Sequence, residues 1–338
     1  MSKYLFYPGC SLQRSARPYL DSLMAVGPMF DLELEELQDW NCCGATEYMS
    51  IHHLAAHALI GRNLALAEQQ SNGTNTVMAA CSACYLNLAK TDSYMQKSPR
   101  LTEQVNDALA AGKMHYTPGS VRVRHLLDLI VNDIGLDQII PKIVRPLKGL
   151  RVAPYYGCMI ARPDRDNRWD NVEHPVAMDK LLSALGAEVI DFPLKTHCCG
   201  GHMTQINLPV AYELIRRLVH AATEYRADVM VVLCPMCQLN LDAYQAEVNH
   251  YFHTDYHMPV LYFTQLMGLA FGLEPNELGF GKEFVDAGQV LKAIGMEAPV
   301  AEPEAEAAAP TPTRRKKRER AKEGLPMPRM PDSEEETT

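Results

Sequence analysis

A chain of 338 residues with 47% hydrophobic and 22% charged residues has the length for two domains and the composition of a soluble globular protein. Its net charge of −9 argues against an extended nucleic-acid footprint on the folded part. It has no apolar run of the roughly 18 residues needed to cross a bilayer, and its first residues lack the apolar core of a signal peptide. No membrane span of its own is therefore expected. A reducing cytoplasm is the expected compartment, where ten cysteines point to metal or redox work rather than structural disulfides.

In chain order, residues 3–7 predict a short aromatic-rich strand, closed by Pro8-Gly9, whose carboxyl end delivers Cys10. Residues 18–30 carry helical spacing through Leu20, Leu23 and Met24. Residues 31–37 alternate Leu32 and Leu34 with Glu33 and Glu35, as a half-buried strand does. Cys42-Cys43-Gly44 lies just beyond. Residues 52–70 read as a long Ala/Leu-rich helix with His52 and His53 at its start, as surface or capping residues. Residues 75–80 predict a third strand capped by Cys81, residues 84–95 a helix that includes Cys84, and residues 121–132 a fourth strand running into a helix.

The second half replays this order. Residues 151–156 predict a strand closed by Gly157-Cys158, and residues 176–185 a helix stopped by Gly186. Residues 188–192 predict a strand followed by Cys198-Cys199-Gly200-Gly201. Residues 210–225 place Leu214, Ile215, Leu218, Val219 and Ala222 on one helix face. Residues 228–233 are almost wholly apolar, which suits a parallel sheet covered on both sides. Cys234-Pro235-Met236-Cys237 then opens a helix running towards Tyr251, and residues 260–272 match 121–132. Corresponding cysteines are offset by 148, 156 and 153 residues, so the chain is an α/β tandem repeat of a βαβαβα unit with mainly parallel sheets. The expected division is 1–145, 146–297, with the halves related by a pseudo-two-fold, and a disordered, charged tail over 298–338. Loops after parallel strands gather at one end of a sheet, so all ten thiols are expected where such folds place ligands.

Every cysteine falls into one of two sets of five: Cys10, Cys42, Cys43, Cys81 and Cys84, then Cys158, Cys198, Cys199, Cys234 and Cys237. Zinc takes four ligands and a cubane iron–sulfur cluster four cysteines, so five is a surplus for either. Either one thiol is free and chemical, or the cluster is larger or more open than a cubane with a thiolate bridging two irons. Both thiols of an adjacent pair face one centre only in a tight irregular turn, for which Gly44 and Gly200-Gly201 supply the freedom. A thioredoxin-like C-x-x-C would leave the pairs and lone cysteines unexplained, whereas zinc in one set and a cluster in the other stays open. His197 and His202 flank the second pair and fit hydrogen-bond partners of sulfur better than ligands. Most of the seventeen methionines read as core filling, with Met159, Met203 and Met236 placed to line a pocket.

Tyr7-Pro8-Gly9-Cys10, Cys42-Cys43-Gly44, Cys81-x-x-Cys84, Tyr156-Gly157-Cys158, Cys198-Cys199-Gly200-Gly201 and Cys234-Pro235-Met236-Cys237 together resemble the duplicated CCG domains of the heterodisulfide reductase B-type family. The resemblance spans roughly residues 3–275. It implies that each five-cysteine set binds a non-cubane 4Fe-4S cluster and that the two clusters, facing each other, cleave a disulfide between them. Cys43 and Cys199 are implied as the catalytic pair. It further implies two partner polypeptides, one ferredoxin-like (the C-type partner) and one flavin-containing (the A-type partner), together with a disulfide or thiol substrate. The complex is then cytoplasmic, or held at a membrane by its partners. The alternative is an electron-transfer or anchoring CCG protein of a succinate-, lactate- or glycolate-type dehydrogenase that passes electrons towards quinone.

Overall fold

The computed structural model describes residues 2–45, 48–71, 74–161 and 169–296. The expected tail over 298–338 lies outside them. Two four-stranded sheets, each wholly parallel, repeat one topology. The first has strand order β2-β1-β3-β4, with β1 Ser2–Tyr7, β2 Leu32–Glu36, β3 Thr76–Ala79 and β4 Arg122–His125. The second has order β6-β5-β7-β8, with β5 Arg151–Tyr155, β6 Glu188–Val189, β7 Val229–Val232 and β8 Val260–Tyr262. Register runs Leu5↔Val77 and Val77↔Val123 in one sheet, Val152↔Val229 and Met230↔Val260 in the other. The chain is thus an α/β protein built from one unit used twice.

The central strands are the apolar ones. Val229, Met230, Val231 and Val232 are all fully buried because helices cover both faces of a parallel sheet. β2 sits at an edge and carries Glu33, Glu35 and Glu36 outward, with Lys3 of β1 bonded to Glu35 at 2.8 Å. Such charges discourage a further strand from pairing there. The last strand of each sheet ends at a residue that caps the next helical turn. In one half this is His125, whose ring accepts from Leu127 N, and in the other it is Tyr262.

Three elements differ from the sequence reading. β6 pairs over two residues, and Pro193, with no N–H to offer, follows soon after. The helix opened by Cys234-Pro235-Met236-Cys237 runs only Pro235–Ala243 and restarts as Gln245–Phe252. Gln245 turns its side chain inward, donating to Leu241 O at 2.6 Å and Met258 O at 2.7 Å, and so takes a carbonyl the helix would have used. A further helix, Pro99–Ala110, is present, with the Ser98 hydroxyl accepting from Leu101 N at 3.3 Å.

The Ala/Leu-rich helix runs His53–Gln70. His52 makes no side-chain cap bond, and both His52 and His53 are exposed, so the surface reading holds and the capping one does not. Inside this helix His57 is fully buried, its Nδ1 at 2.9 Å from Thr91 Oγ1 and its Nε2 at 3.2 Å from His53 Nε2. Burial, helped by His53 and Lys90, holds its pKa down to about 4 against 6.5. Between those values the unfolded chain binds a proton that the folded one refuses, so this stability is present above pH 6.5 and is lost as pH falls towards 4. A His57→Gln variant should show a flatter dependence of the urea midpoint on pH across that window. Among the described residues no helix is long and apolar enough to cross a membrane.

Candidate metal centre: ten thiols in two sets

Parallel strands end together, and the thiols follow from those ends. In the first half β1 runs through Pro8-Gly9 to Cys10, β3 through Ala80 to Cys81, and the loop after β2 supplies Cys42 and Cys43. In the second half β5, β7 and the loop after β6 supply Cys158, Cys234, and Cys198 with Cys199. Cys81 and Cys234 each sit immediately before a helix, Ser82–Lys97 and Pro235–Ala243, which carry Cys84 and Cys237 in their first turns. Helix N-termini favour thiolate charge through free N–H groups and the helix dipole.

None of the ten cysteines, all among the described residues, is in a disulfide. Cys43 Sγ lies 3.4 Å from Cys84 Sγ, and its counterpart Cys199 Sγ lies 3.6 Å from Cys237 Sγ. Cys10 Sγ is 4.0 Å from Cys42 Sγ, and Cys158 interacts with Cys198 in the same way. Cys81 interacts with Cys84 in its own half and with Cys234 across the boundary between halves. The structure therefore brings each quintet together and makes the two quintets contiguous at Cys81 and Cys234. Cys10 and Cys42 are exposed and Cys158 and Cys198 half-buried, while the other six lie below the surface. Each set runs from a solvent-reached rim to a buried floor. Among the described residues no three His, Cys, Asp or Glu side chains are placed to hold a single metal ion.

Packing between the halves is reciprocal. The turn Gly9–Leu12 carrying Cys10 packs on the Pro235–Ala243 helix, and the turn Cys158–Ala161 packs on the Ser82–Lys97 helix. Each half thus contributes to the surroundings of the other's C-x-x-C.

Electrostatics separate the thiols by role. Cys42 is held down to about 2 by bonding from Cys10, then Cys43 and the Gly44 and Ala45 N–H groups, while the shared proton stays with Cys10, whose own pKa is raised. Bonding to the Cys42 thiolate pushes Cys43 up to about 12. Cys234 is pulled down by Cys237 and Cys81, and Cys81 is raised by Cys234. Each set thus favours thiolate charge on one sulfur, Cys42 in the first and Cys234 in the second.

Residues that the cysteine spacing does not single out hold the thiol loops. Tyr7 OH donates to Asn41 O at 2.7 Å and Tyr155 OH to His197 O at 2.6 Å, each to the residue directly before a Cys-Cys pair. Asn87 Nδ2 donates to Cys43 O at 3.1 Å, and Asn240 Nδ2 to Cys199 O at 3.1 Å and Gly201 O at 2.8 Å. Asn87 and Asn240 each stand three residues after a C-x-x-C, and that repeated C-x-x-C-x-x-N was the available signal. Met236 packs near Gly201, and Met159, Met203 and Met236 are half-buried beside the site.

Two glycines make room for sulfur. Gly9 and Gly157 both have φ +68°, and a Cβ on them would lie 2.9 Å from Cys84 Sγ and 3.0 Å from Cys237 Sγ. Alanine at Gly157 should strain the backbone by about 1–2 kcal/mol and displace Cys237. The expected outcome is a folded protein whose second half has lost bound metal, measured by metal analysis beside far-UV circular dichroism.

An iron–sulfur centre, as the sequence resemblance implies, fits these residues. The donors are all soft thiolates, glycines clear space beside the innermost sulfurs, and N–H groups face the Cys42 and Cys234 thiolates. The arrangement defines a duplicated cysteine-rich α/β protein. A family model described as "Cysteine-rich domain" (CCG) matches residues 4–89 and 152–242, and the chain belongs to that family, carrying the domain twice.

Among its relatives is the membrane anchor of the 8-methylmenaquinol:fumarate reductase of Wolinella succinogenes, 32% identical over 84% of this chain and 98% of that one. The B-type component of the ferredoxin:CoB-CoM heterodisulfide reductase of Methanosarcina mazei is 31% identical over 84% and 94%. A protein of Archaeoglobus profundus described as like the same heterodisulfide reductase component is 27% identical over 82% and 93%. A crystal structure of a hypothetical protein from Helicobacter pylori shares the fold with TM-score 0.65 at 14% identity, covering 84% of this chain and 52% of that chain.

Proposed function

We propose that this chain is the disulfide-handling redox component of a multi-protein oxidoreductase, with one non-cubane 4Fe-4S cluster held by each cysteine quintet. The observation that carries the reading is the contact of Cys81 with Cys234, which sets two five-thiol sites side by side. Reducing a disulfide consumes two electrons and two protons and yields two thiols. When bound, the clusters would supply those electrons one from each centre and take up the separated sulfurs. The chain's own part is to hold the two quintets at a fixed spacing, to bury Cys43 and Cys199 beneath Cys42 and Cys198, and to leave the rim thiols reachable by a small disulfide. Cys43 and Cys199 act as catalytic residues in this reading through their grip on the clusters.

The chain has no compact C-x-x-C-x-x-C-x-x-x-C run of a ferredoxin module, so electrons come from partner polypeptides: a ferredoxin-like C-type partner fed by a flavin-containing A-type partner. In this reading the complex is cytoplasmic or is held at a membrane by its partners. A second reading, electron transfer or anchoring for a dehydrogenase that feeds quinone, is favoured by one observation. The relative named as a fumarate reductase membrane anchor aligns over 98% of its length. Anaerobic purification with partners attached separates the two. Oxidation of dithionite-reduced protein by organic disulfides supports the first; indifference to disulfides, with rapid oxidation by a menaquinone analogue, would overturn it in favour of the second.

A further inference from the structure

We propose that Tyr19 is a positioning residue, setting the separation of the two thiol sets by tying together the main chain directly ahead of Cys81 and Cys234. Tyr19 is fully buried on the Arg17–Val26 helix of the first half. Its hydroxyl lies 3.2 Å from Ala80 O and 3.5 Å from Leu233 O. These two carbonyls belong to opposite halves, and each directly precedes the first cysteine of a C-x-x-C. Carbonyl oxygens repel when they converge in a buried space, unless a donor stands between them. One O–H shared between the two is such a donor. The neutral His125 ring accepts from Leu127 N at Nδ1, so its proton sits on Nε2 and faces the same two carbonyls, but it falls short of hydrogen-bond geometry where the tyrosine hydroxyl meets it.

The rest of the Arg17–Val26 helix keeps the hydroxyl in place. The Tyr19 ring stacks on Tyr262, at the end of β8 in the second half, with centroids 4.3 Å apart and planes at 11°. One turn further along, Ser22 Oγ lies 2.7 Å from Thr264 Oγ1, another tie between the halves. A matching stack runs the other way, Trp169 of the second half lying parallel to His125 at 6.3 Å. Aromatic stacking orients the phenol and resists sliding, and the hydroxyl converts that orientation into a set distance between β3 and β7.

The consequence for electron exchange rests on the two-cluster reading above, whereas the spacing role does not. The test therefore starts with metal-free protein. Diamide treatment forms disulfides by moving two electrons and two protons from a thiol pair to its N=N bond. Mass spectrometry then gives the ratio of Cys81–Cys234 to Cys43–Cys84 linkage, the second pair lying inside one half and serving as internal reference. Tyr19→Phe, which keeps the stack and loses the bridge, should lower this ratio several-fold with unchanged circular dichroism. Tyr262→Phe, which keeps the stack and loses the hydroxyl that bonds Gln238 at 3.4 Å, should leave the ratio at the parent value.

An unchanged ratio in Tyr19→Phe overturns the proposal, and so does an equal fall in both variants, which would mean general loosening. If Tyr19→Phe does not fold, Ser22→Ala, which frees the same helix, should lower the ratio, and no change there overturns the proposal. In iron-loaded protein the magnetic interaction between singly reduced centres should weaken in Tyr19→Phe. A parent that binds no iron but keeps the Tyr19-dependent ratio would sink the functional reading and leave this one standing.

Discussion

Serine at Cys43 or at Cys199 is expected to abolish disulfide turnover while removing the iron of one half only. Each thiol is almost fully buried and packs against the second cysteine of its C-x-x-C, so solvent cannot replace it. A serine hydroxyl fills much of the same space but does not ionise near neutral pH and is a harder donor than sulfur. Asn87 holds the carbonyl of Cys43, and Asn240 those of Cys199 and Gly201 as well as Cys199 Sγ at 3.7 Å; the carbonyl bonds survive loss of the sulfur, so the loops should keep their shape. Loss of activity should exceed the roughly 10–100-fold that follows from disturbing a group behind a metal ligand. With one centre left, a single electron can be delivered but the two-electron cleavage cannot be completed. Iron analysis, circular dichroism and turnover on the same preparations check this, and full activity in both variants would count against a two-centre mechanism.

Methionine at Arg124 is expected to cost about 3–5 kcal/mol of stability. Arg124 is buried at the end of β4 and forms an ion pair with Asp128, which is itself buried, while its other nitrogens reach Asp133. Removing the guanidinium strands the Asp128 carboxylate with Asn132 as its remaining side-chain partner, at 2.8 Å. An unpaired buried charge is what makes such a change severe. Replacing both partners, Arg124→Met with Asp128→Leu, should recover most of the loss, since two apolar side chains need no partners. Urea unfolding at neutral pH reads both variants. The effect bears on the site because Asp128 lies in the turn that follows His125, which packs beside the junction of the two halves.

The central strands were legible because parallel strands covered on both faces leave apolar runs such as Val229–Val232, and β1, β3, β5 and β7 each run within two residues into a cysteine or glycine. Repetition did the rest, since the second half confirmed the order of the first. What escaped were features set by tertiary contact. The break at Tyr244 comes from Gln245 reaching Met258, and nothing in the local pattern announces it. The helix Pro99–Ala110 had a readable Ser98-Pro99 start, but its apolar face is thin, with Val105 and Leu109 buried. The cysteines were readable as two sets by count and offset. Their fusion at Cys81 and Cys234 was not, because the contact depends on how one half packs against the other. For the same reason Tyr19 looked like one more aromatic on an amphipathic helix.

Iron and acid-labile sulfide, counted per chain in anaerobically purified protein together with the spectrum of its reduced form, decide whether the two quintets hold two clusters. Two four-iron centres give about eight of each, four per quintet, falling to about four in Cys43→Ser or in Cys199→Ser, with magnetic interaction between the two centres in the parent. One zinc per set with no sulfide, or iron confined to one half of the parent, would contradict the two-cluster reading.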